Sequence, residues 1–326
     1  FGKAGPGILP PPTRFEPDAI TKTLIAEVEE RYPDHPGSLA HFQWPVTRQQ
    51  ALQALEGFVE HRLATFGIYE DAMWTDTPFG WHSLLSSSLN LKLLNPREVI
   101  NAVVAAWKKE DLEMATVEGF IRQILGWREF VRGMYYLDMP QMAEDNFYDH
   151  RNPLPNWYWT GNTKMKCMQE SIGQTLQYGY AHHIQRLMVL ANYGLLAGLD
   201  PQALTAWFHR QFIDGYDWVM VPNVIGMAVH ADGGKLMTKP YAAGGAYLNR
   251  MTQHCKGCAY DPKLRVGDNA CPFTTLYWDF LDRHKEAFAK NHRMGQQLQG
   301  LKRLSDLPEL RERASAVLAG LDAGLI

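Results

Sequence analysis

The chain has 326 residues, 46% of them hydrophobic, and a formal net charge of −3, which is enough apolar material for a buried core and excludes a disordered or fibrous protein. No run of 18 apolar residues occurs, and Phe1 to Thr13 carries Gly and Pro where a leader peptide would carry charges and then an apolar stretch; the expectation is a cytoplasmic protein with no membrane partner. A charge this close to neutral gives no global signature of nucleic-acid binding, so contact with a polyanion has to come from a local basic patch.

From the amino terminus, a start without Met followed by Pro10-Pro11-Pro12 predicts that residues 1–20 are a linker from a further domain, with residues 21–326 forming one domain. Apolar residues then recur at three- and four-residue intervals over 97–109, 116–133, 173–199 and 201–214, with Asn95-Pro96 and Asp200-Pro201 as start signals. No stretch alternates as a strand does, so the expected fold class is mainly α. Residues 138–161 and 221–269 read as long irregular loops rich in Pro, Gly, Asn and aromatics, and loops of that length inside a domain are usually functional. Ten Trp are many for a helical chain; core packing is their ordinary explanation.

The four cysteines are Cys167, Cys255, Cys258 and Cys271, that is, Cys-x2-Cys-x12-Cys with a fourth 88 residues upstream. Four thiolates complete one tetrahedral set, and the Cys-x2-Cys pair flanked by His254, Lys256 and Gly257 suits a metal better than a disulfide. Zinc and iron–sulfur both accept four thiolates. Structural zinc sites usually have two close pairs, whereas one ligand here is remote, which favours a [4Fe–4S] cluster; Cys271-Pro272 also resembles the end of ferredoxin cluster motifs.

Four segments carry a family resemblance. His82-Ser83-Leu84-Leu85-Ser86-Ser87-Ser88-Leu89, followed by Leu94-Asn95-Pro96-Arg97-Glu98-Val99, resembles the phosphate-binding stretch of photolyases and cryptochromes and the helix after it. Hydroxyls and free N–H groups at a helix start suit a pyrophosphate. Gln123-Ile124-Leu125-Gly126-Trp127-Arg128-Glu129-Phe130 is similar to their Trp-Arg-Glu-Phe signature, Tyr180 to Arg186 to the flavin-contacting helix, and Phe212 to Asp217 to the acidic turn beside the isoalloxazine ring. With the cysteine spacing, the chain resembles the bacterial iron–sulfur photolyases and cryptochromes, the deoxyribodipyrimidine photolyase-related proteins, over residues 55–275.

The resemblance implies the helical FAD-binding half of such a protein, with the dimethylribityllumazine antenna confined to an amino-terminal α/β domain. It implies flavin contacts from Tyr69, His82, Ser83, Leu84, Leu85, Ser86, Gln123, Arg128, His183, Arg186, Asp214, Asp217 and Asn223, and a [4Fe–4S] cluster on the four cysteines. His183 is then expected on the lesion side, with Trp207 as inner and Trp159 as outer member of an electron relay. UV-damaged DNA is the expected partner of a monomeric bacterial protein: Tyr241 and Met227, placed on the long loop, would pack on flipped bases and Lys235 and Lys239 would meet phosphates. The implied reaction is repair of (6-4) photoproducts by electron transfer from reduced FAD. A blue-light receptor without repair activity shares nearly every motif, and an iron–sulfur nucleic-acid binder related to the large primase subunit is a third reading.

Overall fold

A computed structural model of the chain describes residues 7 and 9–320, so the linker expected over 1–20 lies partly outside the described residues. Helices dominate. Among the described residues the only β character is two isolated bridges, Asn152 to Leu199 and Asp261 to Ala270, and no helix is long and apolar enough to cross a membrane. The chain divides into two compact units: Phe1–Val131 with Gln174–His182 and Gln211–Tyr216, and Arg132–Gly173 with His183–Arg210 and Asp217–Ile326. The sequence expectation of one domain over 21–326 did not include that division.

In the first unit, helix Pro96–Glu110 forms where its start signals predict. Asn95 accepts from the Arg97 N–H at 2.9 Å, and Glu98 reaches back to the Asn95 N–H at 3.1 Å. This capping box satisfies donors a helix start otherwise leaves orphaned, and Pro96 sits where its missing N–H is not needed. The buried face, Val99, Val103 and Ala106, packs into a core with Leu55, Phe58, Phe66 and Phe120. Phe58 and Phe120 rings lie 4.8 Å apart between centroids. Helices Leu63–Tyr69 and Met114–Arg122 approach closely because Gly67 has no side chain: a Cβ there would stand 2.8 Å from Thr116 Cα.

Three stretches depart from the predicted helices and loops. Residues 116–133 are not one α-helix: Met114–Arg122 passes into a π-helical stretch, Gln123–Glu129, before Phe130–Asp138 resumes. Residues 173–199 are broken as well. Helix Lys166–Tyr178 ends because Gly179 adopts φ +61°, the left-handed conformation that closes helices at little cost in glycine; helical backbone restarts at His183, with a π stretch at Gln185–Ala191. Residues 221–269 are not a continuous loop either. They contain the π stretch Pro222–Ala228, helix Gly245–Met251 and the 3-10 turn His254–Gly257. Pro222 occupies a first helical position, where proline starts a helix instead of breaking it.

The second unit buries an aromatic and histidine cluster beside helix Pro272–Arg283. His150 Nε2 and His284 Nε2 face each other at 3.3 Å, and Tyr148 stacks on His150. Burial, then Arg283, pushes His150 down to about 3 and His284 to about 4. Both values lie below the ordinary 6.5, so between them the unfolded chain binds protons first. The stability from keeping these rings neutral is full above 6.5 and is lost as pH falls toward 4. The denaturant midpoint should therefore drop over that window, and His150→Gln should flatten the drop. An unchanged slope in the variant would assign acid sensitivity elsewhere.

Candidate functional site

In the first unit, the predicted phosphate stretch forms the wall of a cavity of about 670 Å3, counting its open mouth, lined by Arg14, Trp44, Arg62, Phe79, Ser83 and Leu84 among others. Leu84 sits at φ +59° and Leu85 at φ −92°, ψ −5°. That left-then-right-handed pair forms a concave nest of amides suited to an anion. Among the described residues neither Leu84 N–H nor Leu85 N–H donates a hydrogen bond. Ser86 opens the short helix Ser86–Asn90 beside it. His82 stacks on His182 with centroids 4.7 Å apart and planes 13° from parallel, and half-buried Tyr69 packs on Trp81. Asn90 donates to the Asp214 carbonyl at 3.1 Å, pinning the acidic turn, where Asp214 is buried. Arg128 is buried on the Gln123–Glu129 stretch and pairs with Glu129; Gln123 opens that stretch with its side chain half-buried.

The second unit holds the remaining candidates. His183 keeps exposed surface, yet surrounding protein, then Arg186, pushes its imidazole down to about 4. A ring both accessible and hemmed in stands at the wall of a depression, not on a convex surface. Arg186 lies in the π stretch Gln185–Ala191. Asp217 accepts from the Tyr135 hydroxyl at 2.6 Å, which raises that phenol to about 12. Asn223 donates to Val219 O at 2.7 Å within its own helical turn, and half-buried Met227 sits on the same π stretch, not on a loop. Tyr241 is half-buried in irregular chain. Lys235 is held by Asp138 at 2.8 Å and Asp145 at 2.9 Å, so it is not the free cation that a phosphate contact requires.

Trp207 is 1% exposed and donates from its ring N–H to Tyr158 O at 3.1 Å. Its ring meets Tyr158 edge-on at 5.1 Å, Tyr158 stacks on Trp157 at 4.7 Å, and Trp157 meets Tyr193 at 5.2 Å. Trp159 is half-buried, as an outer member should be. Sequence reasoning missed Tyr158 and Tyr193 because an aromatic gains this role only from its spatial neighbours.

All four cysteines lie in the second unit, on three elements: Cys167 in the first turn of Lys166–Tyr178, Cys255 and Cys258 in and just after His254–Gly257, and Cys271 capping Pro272–Arg283. Burial first, then Cys271, Cys255 and Cys258, pushes the Cys167 thiol well up; burial also holds Cys255 near 12 and Cys271 near 11. Mutual repulsion of thiolates is felt only between neighbours, so the chain gathers these sulfurs. It does not bring them to coordination spacing: among the described residues no three His, Cys, Asp or Glu side chains form a group that could hold a metal ion. The two findings agree for four protonated thiols that pack side by side. Tyr193, fully buried and electrostatically within reach of Cys271, has a hydroxyl with no partner among the described residues.

The family model described as deoxyribodipyrimidine photo-lyase-related protein matches residues 3–44. The chain is 48% identical over 310 residues to a (6-4) photolyase of Agrobacterium fabrum, which covers 94% of this chain and 61% of that protein; it thus spans about three-fifths of that relative's length. It is 34% identical over 113 residues to the uncharacterized protein R853 of Acanthamoeba polyphaga mimivirus, covering 34% of this chain and 86% of that protein. In fold it is similar to a bacterial class III photolyase from Agrobacterium tumefaciens, with TM-score 0.54, 16% identity and coverage of 75% of this chain and 56% of that one. A Synechocystis cryptochrome follows at TM-score 0.51 and 19% identity, covering 70% and 50%.

Proposed function

The chain belongs to the deoxyribodipyrimidine photo-lyase-related family, and from that premise we propose that it is the flavin-carrying part of an enzyme that uses light to repair (6-4) photoproducts in ultraviolet-damaged DNA, acting as a monomer. The observation that carries this reading is the 48% identity over 310 residues to a protein named for that reaction. Bound reduced FAD, excited by light, supplies an electron to the lesion and takes it back. The remaining work falls to the chain.

The residues suit the flavin. The free amides of Leu84 and Leu85 and the hydroxyls of Ser83 and Ser86 are donors for a diphosphate, while Arg186, Asp214 and Asp217 supply charge and hydrogen bonds for the ring. They suit a [4Fe–4S] cluster too: four thiols are its full ligand set, and the orphaned Tyr193 hydroxyl is a donor that cluster sulfur accepts. His183 moves the proton that the rearrangement needs. Tyr241 and Met227 pack on the flipped bases, Lys239 meets a phosphate, and Lys235 contributes only where DNA displaces its two carboxylates.

Single-turnover repair of an oligonucleotide bearing a (6-4) lesion, with flavin stoichiometry from the absorption spectrum, tests the proposal. Bound, photoreducible flavin with no repair under full reduction would make the blue-light receptor the better reading. Absence of flavin would sink both. The relay has its own test. Trp207→Phe removes an oxidisable ring, fills similar space and leaves the Tyr158 carbonyl unpaired, a loss of about 1 kcal/mol of stability. FAD content should persist while photoreduction slows at least tenfold; unchanged photoreduction kinetics would remove Trp207 from the relay.

A further inference from the structure

Arg62 lies between helices Arg48–His61 and Leu63–Tyr69 and is 3% exposed. Among the described residues its side chain makes one hydrogen bond, a long one from Nη1 to Gly80 O at 3.4 Å, and no carboxylate pairs with it. Burial draws its pKa down only to about 10, so it remains charged at neutral pH. A buried cation without a counter-charge is costly, and native chains keep one where a ligand supplies the missing anion. Arg62 also lines the cavity whose wall carries Ser83 and the Leu84 turn, with its unused amides at Leu84 and Leu85 and exposed Arg14 at the lining. Three kinds of donor thus share one concavity: a guanidinium, a hydroxyl and a backbone nest.

We propose that this cavity is a diphosphate subsite and that Arg62 is the buried counter-charge of its ligand. That the diphosphate belongs to FAD rests on the functional reading above; that the cavity takes a diphosphate does not. A guanidinium fits because its planar fork donates to two phosphate oxygens at once, whereas an ammonium supplies a point charge. The site is also unusual in being unfinished without its ligand. Free of anion, Arg62 destabilises the fold; with the anion bound, the same charge becomes a source of affinity.

The test uses the full chain, freed of flavin by exchange, with inorganic pyrophosphate, ADP, FAD and riboflavin as probes in calorimetric titration. Arg62→Met, of similar length and uncharged, should weaken pyrophosphate, ADP and FAD by about 10- to 100-fold, the range expected for a hydrogen-bonded charge, and leave riboflavin binding unchanged. Arg62→Lys should recover part of the loss. Ligand-free Arg62→Met should melt above ligand-free wild type, because the uncompensated charge is gone; a merely structural arginine would give a lower melting temperature. Equal affinity of Arg62→Met and wild type for pyrophosphate and FAD would overturn the proposal, as would a lower melting temperature in the variant. If pyrophosphate and ADP bind in an Arg62-dependent way while FAD does not bind, the subsite stands and the flavin reading fails.

Discussion

Cys258→Ser is expected to yield little soluble protein, and that fraction should hold no cluster. Cys258 follows the turn His254–Gly257, and its sulfur lies 3.7 Å from Lys164 O, near the start of the helix that bears Cys167. Cysteines from three separate elements converge, so a cluster bound by all four ties an otherwise loop-rich stretch to two helices. Ligation energy is then folding energy: structural metal sites contribute on the order of 10 kcal/mol, comparable to the whole stability of a typical domain at about 5–15 kcal/mol. Removing one ligand leaves the buried Cys167 and Cys271 thiols, both held protonated by burial, with no metal to stabilise their thiolates. Iron and acid-labile sulfide per chain, with soluble yield, are the measurements. Stoichiometric zinc without iron or sulfide in the wild type would sink the cluster assignment, and full iron content in the variant would remove Cys258 from the ligand set.

What the sequence revealed follows from how local each signal is. The cap of helix Pro96–Glu110 was legible because a capping box is written in four consecutive residues, Asn95 to Glu98. The phosphate stretch was located correctly on a cavity wall for the same reason: serines and a turn sit together at 83–86. The π stretches were invisible. Gln123–Glu129, Gln185–Ala191 and Pro222–Ala228 fall at the Trp-Arg-Glu motif, at Arg186 and at Asn223, but a π turn has no hydrophobic period that distinguishes it from an α-helix over seven residues. Widened turns of this kind recur at functional sites, and here three of them carry candidate residues.

Non-local pairing hid the rest. Lys235 looked like a phosphate contact, yet Asp138 and Asp145, 97 and 90 positions away, already hold it. Arg62 reads in sequence as one more charge on an amphipathic surface, His61-Arg62-Leu63; only the folded chain buries it beside Ser83 without an acid. The cysteine spacing announced a four-thiol site, but whether four sulfurs sit at coordination distance is a matter of ångströms that no spacing encodes.

His183→Asn is expected to cost repair about 10²- to 10⁴-fold, the usual contribution of one positioned acid or base, while FAD content and photoreduction stay near wild type. Rearranging a (6-4) lesion moves a proton together with an oxygen-bearing group, and imidazole is the side chain whose ordinary pKa lies nearest neutrality. In the ligand-free chain that pKa is pushed to about 4, by burial first and then by the Arg186 charge. His183 is therefore neutral at rest and begins as a proton acceptor or a neutral donor. An anion on its open side, a lesion phosphate or the reduced ring, opposes the Arg186 effect and raises the pKa, so the proton can be taken up only with substrate in place. That coupling gives a second readout: the His183 titration in the free protein should lie near 4 and move upward when lesion DNA binds, followed by ring NMR shifts. Because the side chain keeps exposed surface, Asn should fit without unfolding the helix, and the variant's flavin stoichiometry checks this directly. Normal single-flash repair by the variant would remove His183 as the proton carrier, and loss of flavin would make it a cofactor-binding residue instead.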